Sequence, residues 1–164
     1  MIHDIIRLWG IDIEINNEYI PSVLLERYPS KCRFIDYLPK TISEKYAYKF
    51  DQVEKEIYNI TYHRIYNCIL KLWMYDDVYY ESKLLQSRNN IFKKKLTNRI
   101  ENASHLKKLL KLSQKNKIDL TLVFKELQLV IIPSWSSFFV FIQDENKFYF
   151  LDDILRTEGL HLRK

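Results

Sequence analysis

The sequence predicts a single α+β domain with a helical middle and a small, mainly antiparallel sheet formed by its C-terminal third. Three observations support this fold class. An amphipathic pattern without Gly or Pro runs from about Ser43 to Trp73. Apolar runs rich in branched and aromatic residues follow Asp119. No internal repeat or linker divides the chain, so we expect one domain, residues 1–164.

The first forty residues predict one strand and one short helix. Isoleucines alternate with acidic residues over residues 11–15, the period of a half-buried strand. Pro21 suits the first turn of a helix that continues through Leu25. The segment Lys31–Lys40 shows neither period, and we expect it to be irregular.

The middle of the chain predicts one long helix. Thr41 and Glu44 match a capping box, in which the two side chains satisfy free amides of the first helical turn. Behind this cap, apolar residues recur every three to five positions from Tyr46 to Leu72.

Two shorter helices are predicted after the long one. The first carries the apolar residues between Leu84 and Ile100. The second begins at a Ser104 cap and carries its apolar residues from Leu106 to Leu110.

The C-terminal part predicts the sheet. Three segments rich in branched and aromatic residues are predicted as strands: Leu127–Ile132, Ser137–Ile142 and Lys147–Leu151. The turn Asp144–Lys147 would join the last two into a hairpin. Residues 160–163 alternate in polarity and predict a short edge strand.

Glycine and proline are scarce, with two Gly and four Pro in the chain. Phosphate-binding loops and close backbone approaches to a ligand depend on glycine, so we expect no such loop. The sequence also contains no nucleophile elbow, kinase signature or paired-carboxylate motif. We therefore expect no enzyme activity and no cofactor.

No metal site is expected either, because the cysteines and histidines do not follow a metal-binding spacing. Cys32 and Cys68 are predicted to be buried thiols in a reducing compartment. The acidic pairs Asp76–Asp77 and Asp152–Asp153 are predicted to cap elements of the fold, since adjacent residues rarely face one cation.

The N-terminal segment carries charges where a signal peptide has a long apolar run, and no apolar stretch has the length of a transmembrane helix. We therefore expect a cytoplasmic protein.

Positive charge is concentrated in one segment. The net charge of the chain is +5, but Arg88–Ile118 contains ten Lys or Arg and one acid, whereas the rest of the chain is net negative. Segregated charge attracts a partner of the opposite sign, so we expect a directional electrostatic interaction.

The candidate binding residues lie in and near this basic segment. Lys107, Lys111 and Lys115 stand four residues apart on the predicted helix, beside Lys108, and share its solvent side. Trp135, flanked by serines, is the candidate aromatic anchor.

Two kinds of partner fit such a surface. An acidic protein surface is favoured, because lysine outnumbers arginine and stacking aromatics are nearly absent from the segment. Nucleic acid is the alternative, with the same lysines on phosphates.

We find no family motif in the chain. Its size, lack of catalytic motifs and segregated charge are similar to those of small bacterial binding proteins such as the immunity proteins, which neutralise a cognate toxin. This similarity implies a non-catalytic protein-binding module, most concretely a toxin-neutralising or inhibitor protein. A third alternative is a small nuclease or toxin that uses His63, His105 or His161 as a catalytic group.

Overall fold

The described residues form five α-helices and seven β-strands. The structure is a computed structural model that describes residues 2–11, 20–38, 44–84, 96–133 and 137–164. Its helices are α1 (Ile2–Leu8), α2 (Ile20–Arg27), α3 (Glu44–Trp73), α4 (Ala103–Gln114) and α5 (Lys147–Arg156). Its strands are β1 (Cys32–Asp36), β2 (Val78–Leu84), β3 (Leu96–Arg99), β4 (Ile118–Phe124), β5 (Leu129–Pro133), β6 (Phe138–Ile142) and β7 (His161–Arg163).

The seven strands of the described residues form one sheet in the order β3–β2–β4–β5–β6–β1–β7. Every pair of neighbouring strands is antiparallel. The predicted α+β class is therefore confirmed, and most of the sheet comes from the C-terminal part of the chain.

Helices cover both faces of the sheet, and each face has its own apolar core. Leu122 and Phe124 of β4 point to the face covered by α3, α4 and α5, whereas Val123 points to the face covered by α1 and α2. This alternation follows from the two-residue period of a strand. Both faces of the central strands are buried, so the run Phe138–Ile142 is apolar throughout.

The long helix α3 was predicted correctly over its full length, and its C-terminal half packs on the sheet. Ile65, Cys68, Ile69 and Leu72 are fully buried there. No helix in the described part of the chain combines the length and hydropathy that a membrane-spanning helix needs.

The prediction of an irregular segment at Lys31–Lys40 was wrong, because β1 occupies most of its first half and pairs with β6 and β7. The segment mixes polar and apolar residues, and this composition concealed the strand. Arg33 keeps its charge at the sheet surface, where the guanidinium lies 4.5 Å from the Phe148 ring centre.

The helix predicted between Leu84 and Ile100 was wrong at both ends. Its ends belong to β2 and β3, which pair with each other, and its middle lies outside the described residues. In β2 the buried side chains are Val78, Tyr80 and Ser82, which alternate as strand residues do.

The third predicted strand, Lys147–Leu151, is the first half of α5, so the predicted hairpin at Asp144–Lys147 does not form. Leu151, Ile154 and Leu155 are buried at helical spacing, and their packing overrides the strand preference of the aromatic residues. The short helix α2, the strands β5 and β6 and the edge strand β7 were predicted correctly.

Three predicted features fall wholly or mostly outside the described residues. They are the strand over residues 11–15, the Thr41 cap and the Trp135 anchor.

Candidate binding surface on helix α4

Helix α4 is anchored to the core by its apolar face. Leu106, Leu109 and Leu110 are buried in the core that α4 shares with α3 and the sheet. The amide of Gln114 donates a 2.7 Å hydrogen bond to the Asn59 side chain of α3. These contacts hold α4 in one orientation and leave its opposite face toward solvent.

The first turn of α4 is capped by Asn102, so the predicted Ser104 cap was wrong. The Asn102 side chain accepts a hydrogen bond of 2.8 Å from the backbone N–H of His105. Asparagine and serine are both good caps, and only the position at which the backbone becomes helical decides between them.

The last turn of α4 ends in a left-handed residue, Asn116, whose φ is +51°. The N–H of Asn116 donates to the carbonyl of Ser113, and that of Lys117 donates to the carbonyl of Leu112. This pair of bonds is a Schellman motif and satisfies carbonyls at the helix end. Both ends of α4 are therefore fixed by hydrogen bonds.

The predicted lysines lie together on the exposed side of this helix. Lys107, Lys108, Lys111 and Lys115, here named the α4 lysine face, are all exposed. Lys115 is the C-cap residue. Residues three or four apart on a helix have Cβ atoms about 5–6 Å from each other, so the four lysines share one side of α4.

Within the described residues, no salt bridge involves any of the four lysines of the α4 lysine face, so these charges have no internal counter-charge there. Like charges four residues apart destabilise a helix by about 0.2–0.5 kcal/mol per pair. The negative end of the helix dipole offsets part of this repulsion for Lys111 and Lys115, which lie in or beside the last turn. An anionic partner would relieve the rest.

The predicted aromatic anchor remains untested, because Trp135 lies outside the described residues. Pro133 ends β5, Phe138 begins β6, and the two residues pair with each other. This pair lies at the same end of the sheet as Ile118, the first residue of β4, which follows α4 in the chain.

The structure does not bring His63, His105 and His161 together into one site. His63 is exposed on α3, whereas the ring of His105 lies edge-on to Tyr80 of β2, with 5.1 Å between ring centres. His161 is in β7, five strand positions from β2. Strands are about 4.8 Å apart, so β2 and β7 are separated by about 24 Å.

The acidic pairs make contacts within the fold, but the prediction that Asp152 and Asp153 cap an element was wrong, because both residues lie inside α5. The Asp76 carboxylate accepts bonds of 2.8 and 2.9 Å from the N–H groups of Glu126 and Leu127 and so holds the β4–β5 turn. Asp77 pairs with Arg99, and Asp152 pairs with Arg156. Within the described ranges, no group of three His, Cys, Asp or Glu side chains is arranged to hold a metal ion.

Both cysteines are free and buried, as predicted. Burial raises the pKa of Cys32 to about 11 and that of Cys68 to about 12. Thiolate is the reactive form of cysteine, so both residues are unreactive at neutral pH.

Two surface features were not predicted from the sequence. A groove of about 300 Å³ lies between α5 and β7, lined by Phe148, Tyr149, Asp152, Arg156, His161 and Leu162. At the end of α3, Met74 is 84% exposed and Tyr75 is 64% exposed, with the Tyr75 ring edge-on to Phe150. The groove and the Tyr75–Phe150 contact depend on where α5 packs, which no local sequence pattern indicates.

A comparison of the chain with protein-family models, with curated proteins and with solved structures found no match.

Proposed function

We propose that the α4 lysine face binds an acidic surface of a protein partner and that the chain is a non-catalytic binding module, most concretely a toxin-neutralising or inhibitor protein. One observation carries this proposal. Four lysines without an internal counter-charge among the described residues project from a helix whose core face and both ends are fixed. A rigid cluster of like charge lowers the entropic cost of binding and steers an oppositely charged partner toward it.

The chemistry of the surface favours protein over nucleic acid. Phosphate and base edges are best recognised by the planar fork of arginine, and α4 contains none. Binding of single strands also relies on aromatic rings that stack on bases. The one ring in α4 belongs to His105, and Tyr80 already packs against it.

A protein interface also needs apolar anchors that lose their hydration on binding. Among the tyrosines whose side chains the structure describes, Tyr75 and Tyr149 are the most exposed, at 64% and 80%. They join Trp135 as candidate anchors, because tyrosine and tryptophan combine large contact area with a polar tip.

The inhibitor form of this proposal requires an acidic target. The active sites of metal-dependent hydrolases and nucleases contain carboxylates, so the α4 lysine face would be complementary to such a site once its metal is displaced.

We also propose a cytoplasmic location. The two free thiols support it, since a reducing compartment keeps cysteines unpaired.

The proposal is tested by affinity capture from a lysate of the source cells at near-physiological salt, with and without nuclease treatment. Three baits are compared: the wild type, an α4 variant and a control variant. The α4 variant replaces Lys107, Lys108, Lys111 and Lys115 by Ala. The control replaces Lys45, Lys55, Lys125 and Lys164, which are also exposed, and so has the same net charge.

We expect the wild type and the control to retain a stoichiometric protein after nuclease treatment and the α4 variant to lose it. Trp135→Ala tests the anchor separately. If only nucleic acid is retained and the α4 variant alone releases it, the nucleic-acid alternative replaces this proposal. A protein retained equally by all three baits contradicts the role of the α4 lysine face.

A further inference from the structure

A groove runs along helix α5 beside strand β7. Its volume is about 300 Å³, and it is lined by Phe148, Tyr149, Asp152, Arg156, His161 and Leu162. Phe148 lies in the first turn of α5 and Arg156 is its last residue, and the helix rises by about 12 Å between them. The groove is therefore long enough for several residues of an extended chain.

Strand β7 forms one wall of this groove and one edge of the sheet. Among the described residues it pairs with β1 alone, where Leu162 lies opposite Ile35. An edge strand presents backbone N–H and C=O groups on its outer side, and an extended segment can add to it as a further strand. Leu162 packs against the core that contains Leu151 of α5, so a residue opposite Leu162 in an added strand would also face α5. The groove thus combines main-chain pairing with room for side chains.

The two ends of the groove differ in chemistry. Near the start of α5, the half-buried ring of Phe148 and the exposed ring of Tyr149 offer an apolar surface. At the other end, Nε of Arg156 donates a 2.6 Å hydrogen bond to Asp152, and its two terminal nitrogens make no hydrogen bond to a described residue. Asp152 therefore orients the guanidinium, whose terminal N–H groups can bind a carboxylate through two bonds.

The charge of the edge strand favours an acidic segment of another protein over a second copy of this chain. Residues 160–164 contain His161, Arg163 and Lys164 and no acidic residue. Arg163 is paired with Asp36, whereas Lys164 is exposed and forms no salt bridge with a described residue. Two β7 strands side by side would set basic residues against each other, and like charges across a strand pair are destabilising. A segment that carries a carboxylate is instead attracted to this edge.

We propose that the groove between α5 and β7 binds an extended acidic segment of a partner protein, which adds to the outer edge of β7 as a further strand. An extended chain rises by about 3.3 Å per residue, so the two ends of the groove are about four residues apart. The segment carries an apolar side chain that contacts Phe148 and, four residues away, an Asp or Glu that pairs with Arg156.

This inference goes beyond the proposed function, because the groove and the α4 lysine face are separate surfaces. Helix α4 packs against β4, whereas α5 packs against β7, four positions away in the sheet. The groove can therefore bind its segment whether or not the α4 lysine face binds a protein.

Selection from a phage-displayed library of random nonapeptides on the purified full chain tests the proposal. We expect the enriched peptides to carry an apolar residue and, four positions away, an Asp or Glu. No enrichment, or enriched peptides that lack this pair of residues, overturns the proposal.

Fluorescence polarisation of the enriched peptides then locates their site. Arg156→Gln should weaken binding at least about tenfold. Lys125→Gln, which also removes an exposed cation beside an acidic residue, should leave binding unchanged. The α4 variant should bind as the wild type does, whereas peptides that are lost in the α4 variant and retained by Arg156→Gln overturn the assignment to the groove. Circular dichroism confirms that the variants are folded.

Methylation of the peptide backbone tests the added strand. In a strand, the amides that bond to one neighbour alternate with those that point away from it. Two forms of an enriched peptide are therefore compared, one N-methylated at its odd positions and one at its even positions. One form should lose affinity at least about tenfold and the other should bind as the unmodified peptide does. Equal affinities of the two forms overturn the added strand.

Discussion

Helices α4 and α5 flank α3 on the same face of the sheet, yet they use their charges in different ways. On α5, Arg156 pairs with Asp152 at 2.6 Å, and Lys147 donates hydrogen bonds to the carbonyls of Glu126 and Leu127. Glu158, just after α5, accepts hydrogen bonds from Lys71 and from Asn67. The α4 lysine face has no such partner among the described residues.

The contrast separates charges that hold the fold together from charges that are free for another molecule. Both helices bury an apolar face of similar composition, so their packing on α3 and the sheet does not explain the difference. A row of uncompensated lysines raises the free energy of the isolated protein, and such a cost is typical of a binding surface.

The largest difference in the free energy of unfolding is expected between substitutions of two neighbouring residues on α4, one buried and one exposed. Leu106 is fully buried, so Leu106→Ala should lower the free energy of unfolding by about 2–5 kcal/mol. Lys107→Ala on the exposed side should change it by less than about 0.5 kcal/mol. Urea denaturation of both variants measures these values. Equal losses would show that the α4 lysine face supports the fold.

The pH dependence of stability tests the paired charges near α5. Hydrogen bonds from Lys71 and Asn67 lower the pKa of Glu158 below its usual value of 4.5. The ionised carboxylate therefore stabilises the fold above that pH, and the stabilisation is lost as the pH falls through the lowered pKa.

The wild type should accordingly lose more stability than Glu158→Gln when the pH is lowered from about 6 to about 3. Thermal unfolding across this range measures the difference. Parallel curves for the two proteins would show that the Glu158 contacts do not stabilise the fold.

The smallest expected effects are changes in the free energy of unfolding, which should have opposite signs for a substitution on α4 and one on α5. Lys111→Gln removes repulsion from Lys107 and Lys115 and should raise the free energy of unfolding by a few tenths of a kcal/mol at low salt. Arg156→Gln removes an attractive pair and should lower it. Both effects should fade in 1 M salt, because the charges are exposed and screened. A loss of stability in both variants would contradict the claim that the α4 lysines, unlike Arg156, do not stabilise the fold.

Prediction from sequence succeeded where a local pattern decides the structure. The long helix α3 and the exposed lysines of α4 follow from helical spacing alone. The strand β1 did not, because its backbone pairs with segments more than a hundred residues away, such as Phe141 opposite Cys32. Helix α5 was missed because packing on α3 overrides the strand preference of Phe148–Phe150.

The role of the α4 lysine face is tested most directly by the rate at which the captured partner associates with the protein. Stopped flow over a range of salt concentrations measures this rate for the wild type, the α4 variant and the control variant. We expect the α4 variant to associate roughly 10- to 1,000-fold more slowly at low salt, with a weak salt dependence, while the control keeps the steep dependence of the wild type. Equal rates and equal salt dependence for the α4 variant and the wild type would contradict the assignment of α4 as the binding surface.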